Sequence, residues 1–231
     1  MRAPTYRQNA VFAGVFFIVA TVALIPAGML YGPPLSDGTM IAAAASPVRV
    51  GLGTLVEMLC VIAIPLIAVA LYPVLTRVSA ALAVGYVAFR SIEAALFASN
   101  EVARLLVVQL GQAAAAHPEI DTGALALLMQ ARIGNDAWSG AAGPVYNLIA
   151  VTGMMLLYAG LWRGRLVPRW ISAWGLASAG LLGGVAAASF FMSVPSRIAL
   201  PLIAPLALQE MALAVWMIAK GFDRAALARL A

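Results

Sequence analysis

Charge is scarce in this chain. Of its 231 residues only 10% are Asp, Glu, Lys or Arg, while 64% are hydrophobic. A water-soluble domain carries roughly 25% charged residues, so too few charges are present to cover a water-facing surface. The shortage excludes a soluble globular enzyme and a disordered tail, and it makes lipid the main solvent. Cysteine is almost missing as well. Cys60, inside an apolar run, permits no internal disulfide, which excludes a disulfide-rich scaffold, and the single His117 leaves no His/Cys zinc cluster. No Asp-rich diphosphate motif is present, which disfavours magnesium-dependent ionisation of a pyrophosphate. No serine has a partner histidine at hand for a triad. Neither a metal nor a cofactor is expected. An internal repeat is also missing, which counts against an inverted-repeat transporter.

Long apolar runs, in contrast, are plentiful. A helical span needs about 20 mostly apolar residues. Six segments qualify, at about 10–31, 50–72, 81–103, 143–162, 171–193 and 199–220. The first follows Arg2 and Arg7, but its apolar run exceeds the 7–15 residues of a secretion signal, so it reads as a retained helix. The expected fold is a single all-α integral membrane domain over 1–231, a six-helix bundle. Arginine sets its orientation. One side would hold Arg2, Arg7, Arg77, Arg163, Arg165, Arg169, Lys220, Arg224 and Arg229 against Asp223 alone. The other would hold Arg49, Arg132 and Arg197 with Asp37, Glu119, Asp121 and Asp136. By the positive-inside rule both termini are cytoplasmic. The net charge of +5 therefore reports orientation rather than a nucleic-acid partner. Tyr31, Trp138, Trp162 and Trp170 fall near span ends, as interfacial aromatics do.

One long connection, 104–142, is expected on the outer side. Asp121-Thr122 supplies a start and Gly134-Asn135 a stop around Ala124, Leu125, Leu127, Leu128 and Ala131. The pattern predicts a short amphipathic helix on the membrane surface, either a connector or a lid. Pro26, Pro65 and Pro201/Pro205 fall inside spans, where neighbouring helices satisfy the freed carbonyls.

Four ionisable residues lie well inside spans: Glu57, Arg90, Glu93 and Glu210. Each costs about 2.5–3.5 kcal/mol at the centre of a lone helix and should turn toward the bundle interior. Arg90 and Glu93 are three apart and share a face, which continues as Tyr86, Phe97, Asn100, Glu101 and Arg104. Asn147 and Gln209 are candidates for the same centre. Three buried carboxylates then oppose one buried arginine. Either a cation binds, or at least one glutamate keeps its proton. A purely structural reading makes Arg90 a register-fixing bridge to Glu93 or Glu57.

Two classes of function fit. The first is an intramembrane enzyme doing acid–base chemistry on a lipophilic substrate, most concretely proton-initiated cyclisation or isomerisation of an isoprenoid chain. Glu57 and Glu210 are its acid and base candidates in an order left open. Arg90 and Glu93 set their protonation, and Tyr86, Phe89, Phe97, Tyr146 and Trp216 line the chamber with Asn100, Asn147 and Gln209. The second is a proton- or cation-coupled transporter or binding protein using Glu57, Glu93 and Glu210, with a membrane assembly protein as a third option. The expected partners are membrane lipid and a lipophilic small molecule.

Several stretches carry a resemblance. Leu71-Tyr72-Pro73-Val74-Leu75, Gly85-Tyr86 with Phe89-Arg90 and Glu93, Leu166-Val167-Pro168-Arg169-Trp170 with Ser172 and Trp174-Gly175-Leu176, and Gln209-Glu210 with Trp216 and Lys220-Gly221-Phe222 form the set. Together they resemble an uncharacterised bacterial family of six-span membrane proteins, a domain of unknown function. The resemblance implies the fold and a bacterial cytoplasmic membrane but no activity. The arrangement also resembles the small integral-membrane terpene cyclases, which place one acid on an early span and another on a late one. Glu57 and Glu210 occupy comparable places, although those cyclases have seven spans and a late Asp.

Overall fold

A computed structural model describes residues 6–31, 46–117, 143–192 and 194–230, together with Gly123 and Leu127. Seven helices are described: α1 (Arg7–Tyr31), α2 (Pro47–Val78), α3 (Ala80–Ala116), α4 (Pro144–Gly164), α5 (Arg169–Ala188), α6 (Ser196–Ala219) and the short α7 (Arg224–Arg229). Helices α1 to α5 are each long and apolar enough to cross a membrane, and α6 holds a shorter apolar run, Ala204–Ala219. The described residues thus form a helical membrane protein, in which each helix satisfies its backbone groups within its own segment, as a bilayer demands.

Local sequence explains the boundaries. A single residue separates α2 from α3: the Ser79 N–H donates to Leu75 O, and its Oγ accepts from the Leu82 N–H at 3.4 Å, capping α3. Proline opens α2 and α4 in the first turn, where its missing N–H costs nothing. Helix α6 ends on Gly221, whose φ of +74° suits a residue without a Cβ, and its N–H donates to the carbonyls of Trp216 and Met217. Helix α4 ends differently. Arg165 adopts the left-handed conformation, with φ of 52°, at the cap glycine usually occupies. That conformation costs a side-chain-bearing residue about 1–2 kcal/mol.

Each helix from α1 to α6 packs on the next, and α6 returns to α1, so the six close into a ring, with α2 and α4 touching across it. Small residues permit the closest approaches. A Cβ on Gly14 of α1 would stand 2.7 Å from the Ala214 carbonyl oxygen of α6, the kind of contact small residues allow between membrane helices. At this end of the ring the Arg7 guanidinium donates to the carbonyls of Met217, at 3.0 Å, and Ile218. Arg77 Nε donates to Tyr6 Oη at 3.2 Å, and the Asp223 N–H to Leu166 O at 2.9 Å. The start of α1 and the segment after α6 therefore lie together with many of the arginines.

The structure corrects one boundary. The third span does not give way to a connector at 104: α3 runs on to Ala116 and closes at His117, so Arg104 is a helical residue. The amphipathic helix expected after Asp121 lies almost entirely outside the described residues, of which Gly123 and Leu127 are helical.

Candidate functional site

The buried polar residues gather in two places along α3. Spacing of three and four keeps Tyr86, Arg90, Glu93, Phe97, Asn100, Glu101 and Arg104 on one stripe. From Tyr86 to Arg104 the stripe covers about 27 Å at 1.5 Å per residue. All but Arg104 are fully buried, and the Arg104 side chain is only 20% exposed.

The inner cluster sits in the first half of α3. Arg90 Nη1 donates to Glu93 Oε2 at 2.7 Å, and Tyr146 Oη, reaching from α4, donates to Glu93 Oε1 at 3.0 Å. Both carboxylate oxygens are thereby used. Phe97 meets the Tyr146 ring edge-on, with centroids 5.7 Å apart. Gly153 on α4 leaves room for the stem of Arg90 and for Phe89, which is half-buried. Cys60 of α2 is buried beside the cluster, within the electrostatic reach of Arg90, Glu93, Glu57 and Glu210. Two polar atoms here, Tyr86 Oη and Arg90 Nε, are buried with no hydrogen-bond partner among the described residues. Such atoms are costly to leave unmet, so they mark a place for water or a ligand group.

Glu210 of α6 lies within electrostatic reach of these groups. It shares a helix face with the buried Leu206, Leu213, Ala214 and Met217, yet is itself partly exposed. Its carboxylate forms no ion pair among the described residues. The charges it feels are Arg90 and Glu93. Its neighbour Gln209 is spoken for: Oε1 accepts from Tyr158 Oη at 2.6 Å, and Nε2 donates to Ile171 O at 3.1 Å, tying α6 to α4 and α5.

The outer cluster joins three helices. Arg104 of α3 donates to Glu57 of α2 and to Glu101, three residues back on its own helix. Its guanidinium lies 4.5 Å over the ring of Tyr31 from α1, whose hydroxyl donates to Glu101 Oε2 at 2.8 Å. Thr54 Oγ1 lies 3.4 Å from the same hydroxyl. A Cβ on Gly53 would stand 2.6 Å from that ring, so glycine lets Tyr31 close against α2.

The candidates thus divide. Glu93, Arg90, Tyr86, Phe89, Phe97 and Tyr146 come together, with Glu210 across the ring. Of the two bridges open to Arg90, the structure forms the one to Glu93. Glu57 belongs to Arg104, a partner that the charge count from sequence leaves out, although the stripe contains it. Asn147 turns back to donate to Gly143 O at 2.9 Å near the start of α4. Trp216 packs against the hydrophobic cluster that contains Tyr86 and lines a cavity at the arginine-rich end. The fuller inventory is four carboxylates, Glu57, Glu93, Glu101 and Glu210, against two guanidinium groups. The surplus of two matches the surplus counted from sequence. Among the described residues no group of three His, Cys, Asp or Glu could hold a metal ion.

A family model described as a domain of unknown function (DUF4386) matches residues 12–221. It takes in every member of both clusters, and it bears out the resemblance to such a family. No curated protein and no solved structure matches the chain, so the likeness to terpene cyclases has no relative behind it.

Proposed function

The chain belongs to the DUF4386 family, whose function is unknown, and we propose that it is an intramembrane enzyme whose buried glutamates carry out acid–base chemistry on a lipophilic substrate. The observation that carries this reading is Glu210. On an inward helix face, its buried carboxyl group forms no ion pair among the described residues and lies within electrostatic reach of Arg90 and Tyr86, which carry the unmet Nε and Oη. The Arg90 charge within its reach is already balanced by Glu93, and a carboxyl group in hydrocarbon without a cation of its own is held at least cost as the neutral acid, a proton donor shielded from water.

In the most concrete form, Glu210 gives its proton to one carbon of a substrate double bond, and the neighbouring carbon becomes cationic. A second double bond attacks that cation and closes a ring. The last cation then returns a proton to the Glu210 carboxylate, which restores the acid, and the substrate leaves with its mass unchanged; Glu57, engaged by Arg104, takes no part. Arg90, held by Glu93, steadies the carboxylate that Glu210 becomes, while Phe97 and Tyr146 offer aromatic faces to developing positive charge. The substrate class this fits is an isoprenoid chain arriving through the bilayer. The membrane is the bacterial cytoplasmic one, crossed by six spans with both ends inside, a reading the arginine distribution favours.

A second reading, a proton-coupled transporter, is favoured by one observation: the polar stripe of α3 runs about 27 Å, close to the thickness of a hydrocarbon core. One experiment separates the two. The chain is purified in gentle detergent, and co-purifying molecules are identified by mass spectrometry for the native protein and for Glu210→Gln. An isoprenoid that Glu210→Gln retains but no longer converts to an isomer supports the enzyme. A polar solute, or no bound molecule at all, overturns it.

A further inference from the structure

The arginine-rich end of the ring carries a feature unrelated to the buried glutamates. A cavity of about 360 Å³ opens where α4, α5 and α6 end or begin. Arg165, Arg169 and Lys220 line it, with Trp216 and a single carboxylate, Asp223. That carboxylate is already engaged, since its Oδ1 accepts from the Ala226 N–H at 2.7 Å as the cap of α7. An apolar trough of about 460 Å³ runs from the cavity along α6 over Met211, Ala212, Val215 and Ala219, and the two hollows share Trp216 and Lys220. The cationic cavity and the apolar trough therefore adjoin at those two side chains.

Arg165 adds an independent sign. It holds the left-handed cap conformation, with φ of 52°, at a position where glycine would end α4 without strain. A side chain kept at the expense of the backbone marks a place where the side chain is used. Here the retained group is a guanidinium in the wall of the cavity, and guanidinium suits a phosphate oxygen pair.

We propose that cavity and trough form one binding site for an anionic phospholipid. Arg165, Arg169 and Lys220 hold its phosphate, the Trp216 indole sits at the junction, and an acyl chain lies along α6. Basic pockets between helix ends at a membrane surface select anionic headgroups in this way. A zwitterionic lipid brings its own cation to a site that already has three, so it is the poorer match. This site stands whether or not the glutamate chemistry does.

The test is native mass spectrometry of the full chain, with phosphatidylglycerol, phosphatidylethanolamine of the same acyl chains, and inorganic phosphate as probes. Phosphatidylglycerol should remain bound at least tenfold more than phosphatidylethanolamine, and inorganic phosphate should not displace it. Arg165→Gly should reduce its retention about tenfold while leaving the thermal midpoint unchanged or higher, because glycine accepts the left-handed cap freely. Arg169→Gln combined with Lys220→Gln should act in the same direction. Equal retention of the two lipids overturns the proposal. So does unchanged retention in Arg165→Gly, or displacement by inorganic phosphate, which would leave the trough without a tail. A fall in both retention and midpoint in Arg165→Gly would mean a structural arginine and would also overturn it. Should the double variant fail to fold, the comparison of the two lipids on the native chain still decides.

Discussion

The two ionic clusters on α3 use the same residue types and satisfy them differently. At the inner cluster the ion pair is intrahelical, Arg90 to Glu93, and a neighbouring helix contributes only a neutral hydroxyl, Tyr146. At the outer cluster one arginine serves two carboxylates from two helices, and a tyrosine from a third helix both stacks on the arginine and donates to Glu101. The outer cluster therefore works as a clamp that joins α1, α2 and α3. The inner one joins little; it maintains a buried charge pair and leaves two polar atoms unmet. A packed hydrophobic pair would serve structure at less cost than Arg90 and Glu93. What the inner arrangement supplies is a fixed positive charge within electrostatic reach of Glu210.

Substitution can sharpen or break that contrast. The largest effect is expected from Arg90→Met, which strands Glu93 in a dry site. Removing one partner of a buried pair costs about 3–5 kcal/mol, visible as a lowered thermal midpoint in detergent. Adding Glu93→Leu should restore most of it, because the pair contributes little as structure. If the double variant is no better than the single, the inner cluster is a structural bridge and the contrast fails. Arg104→Gln should cost a similar amount, about 3–5 kcal/mol, since it leaves Glu57 and Glu101, whose side chains are only 7% and 3% exposed, without their guanidinium. Its signature is architectural: loss of the clamp should free α1 from α2, read as faster proteolysis or hydrogen exchange near Tyr31. The smallest pair is Tyr146→Phe against Tyr31→Phe. Each removes one hydroxyl donor to a glutamate, and interhelical hydrogen bonds of this kind average about 0.6 kcal/mol. Tyr146→Phe should cost more than Tyr31→Phe, because each glutamate keeps its arginine but the Tyr146 hydroxyl is buried whereas Tyr31 is only half-buried. Equal losses would show that burial does not distinguish the clusters.

How much of this was legible beforehand follows from which forces act locally. The apolar runs located the helices because the bilayer sets a minimum length, and the α3 stripe could be read because helical periodicity is a property of one segment. The i, i+3 bridge from Arg90 to Glu93 was legible for the same reason. Glu57 with Arg104 was not. Their pairing depends on how α2 sits against α3, and treating residue 104 as the start of a loop hid the arginine. A continuous helical stripe through 100, 101 and 104 was the signal that α3 had not yet ended. The contacts of Gln209 with Tyr158 and Ile171 were equally out of reach, since they are decided by three helices meeting. The cap at Arg165 could not be read either: nothing in the local residues announces that an arginine, rather than Gly164 beside it, takes the left-handed turn.

The contact of Gly14 with Ala214 has a consequence for biogenesis. It binds the earliest helix to the last of the ring, so the circle stays open until α6 leaves the ribosome. Until that moment the inward face of α1 has no protein neighbour on one side, and Glu93 and Arg90 border an unfinished wall. The growing helices must therefore be sheltered, by lipid or by the insertion machinery, until α6 is made, and the ring is sealed in one step at the seam between α1 and α6.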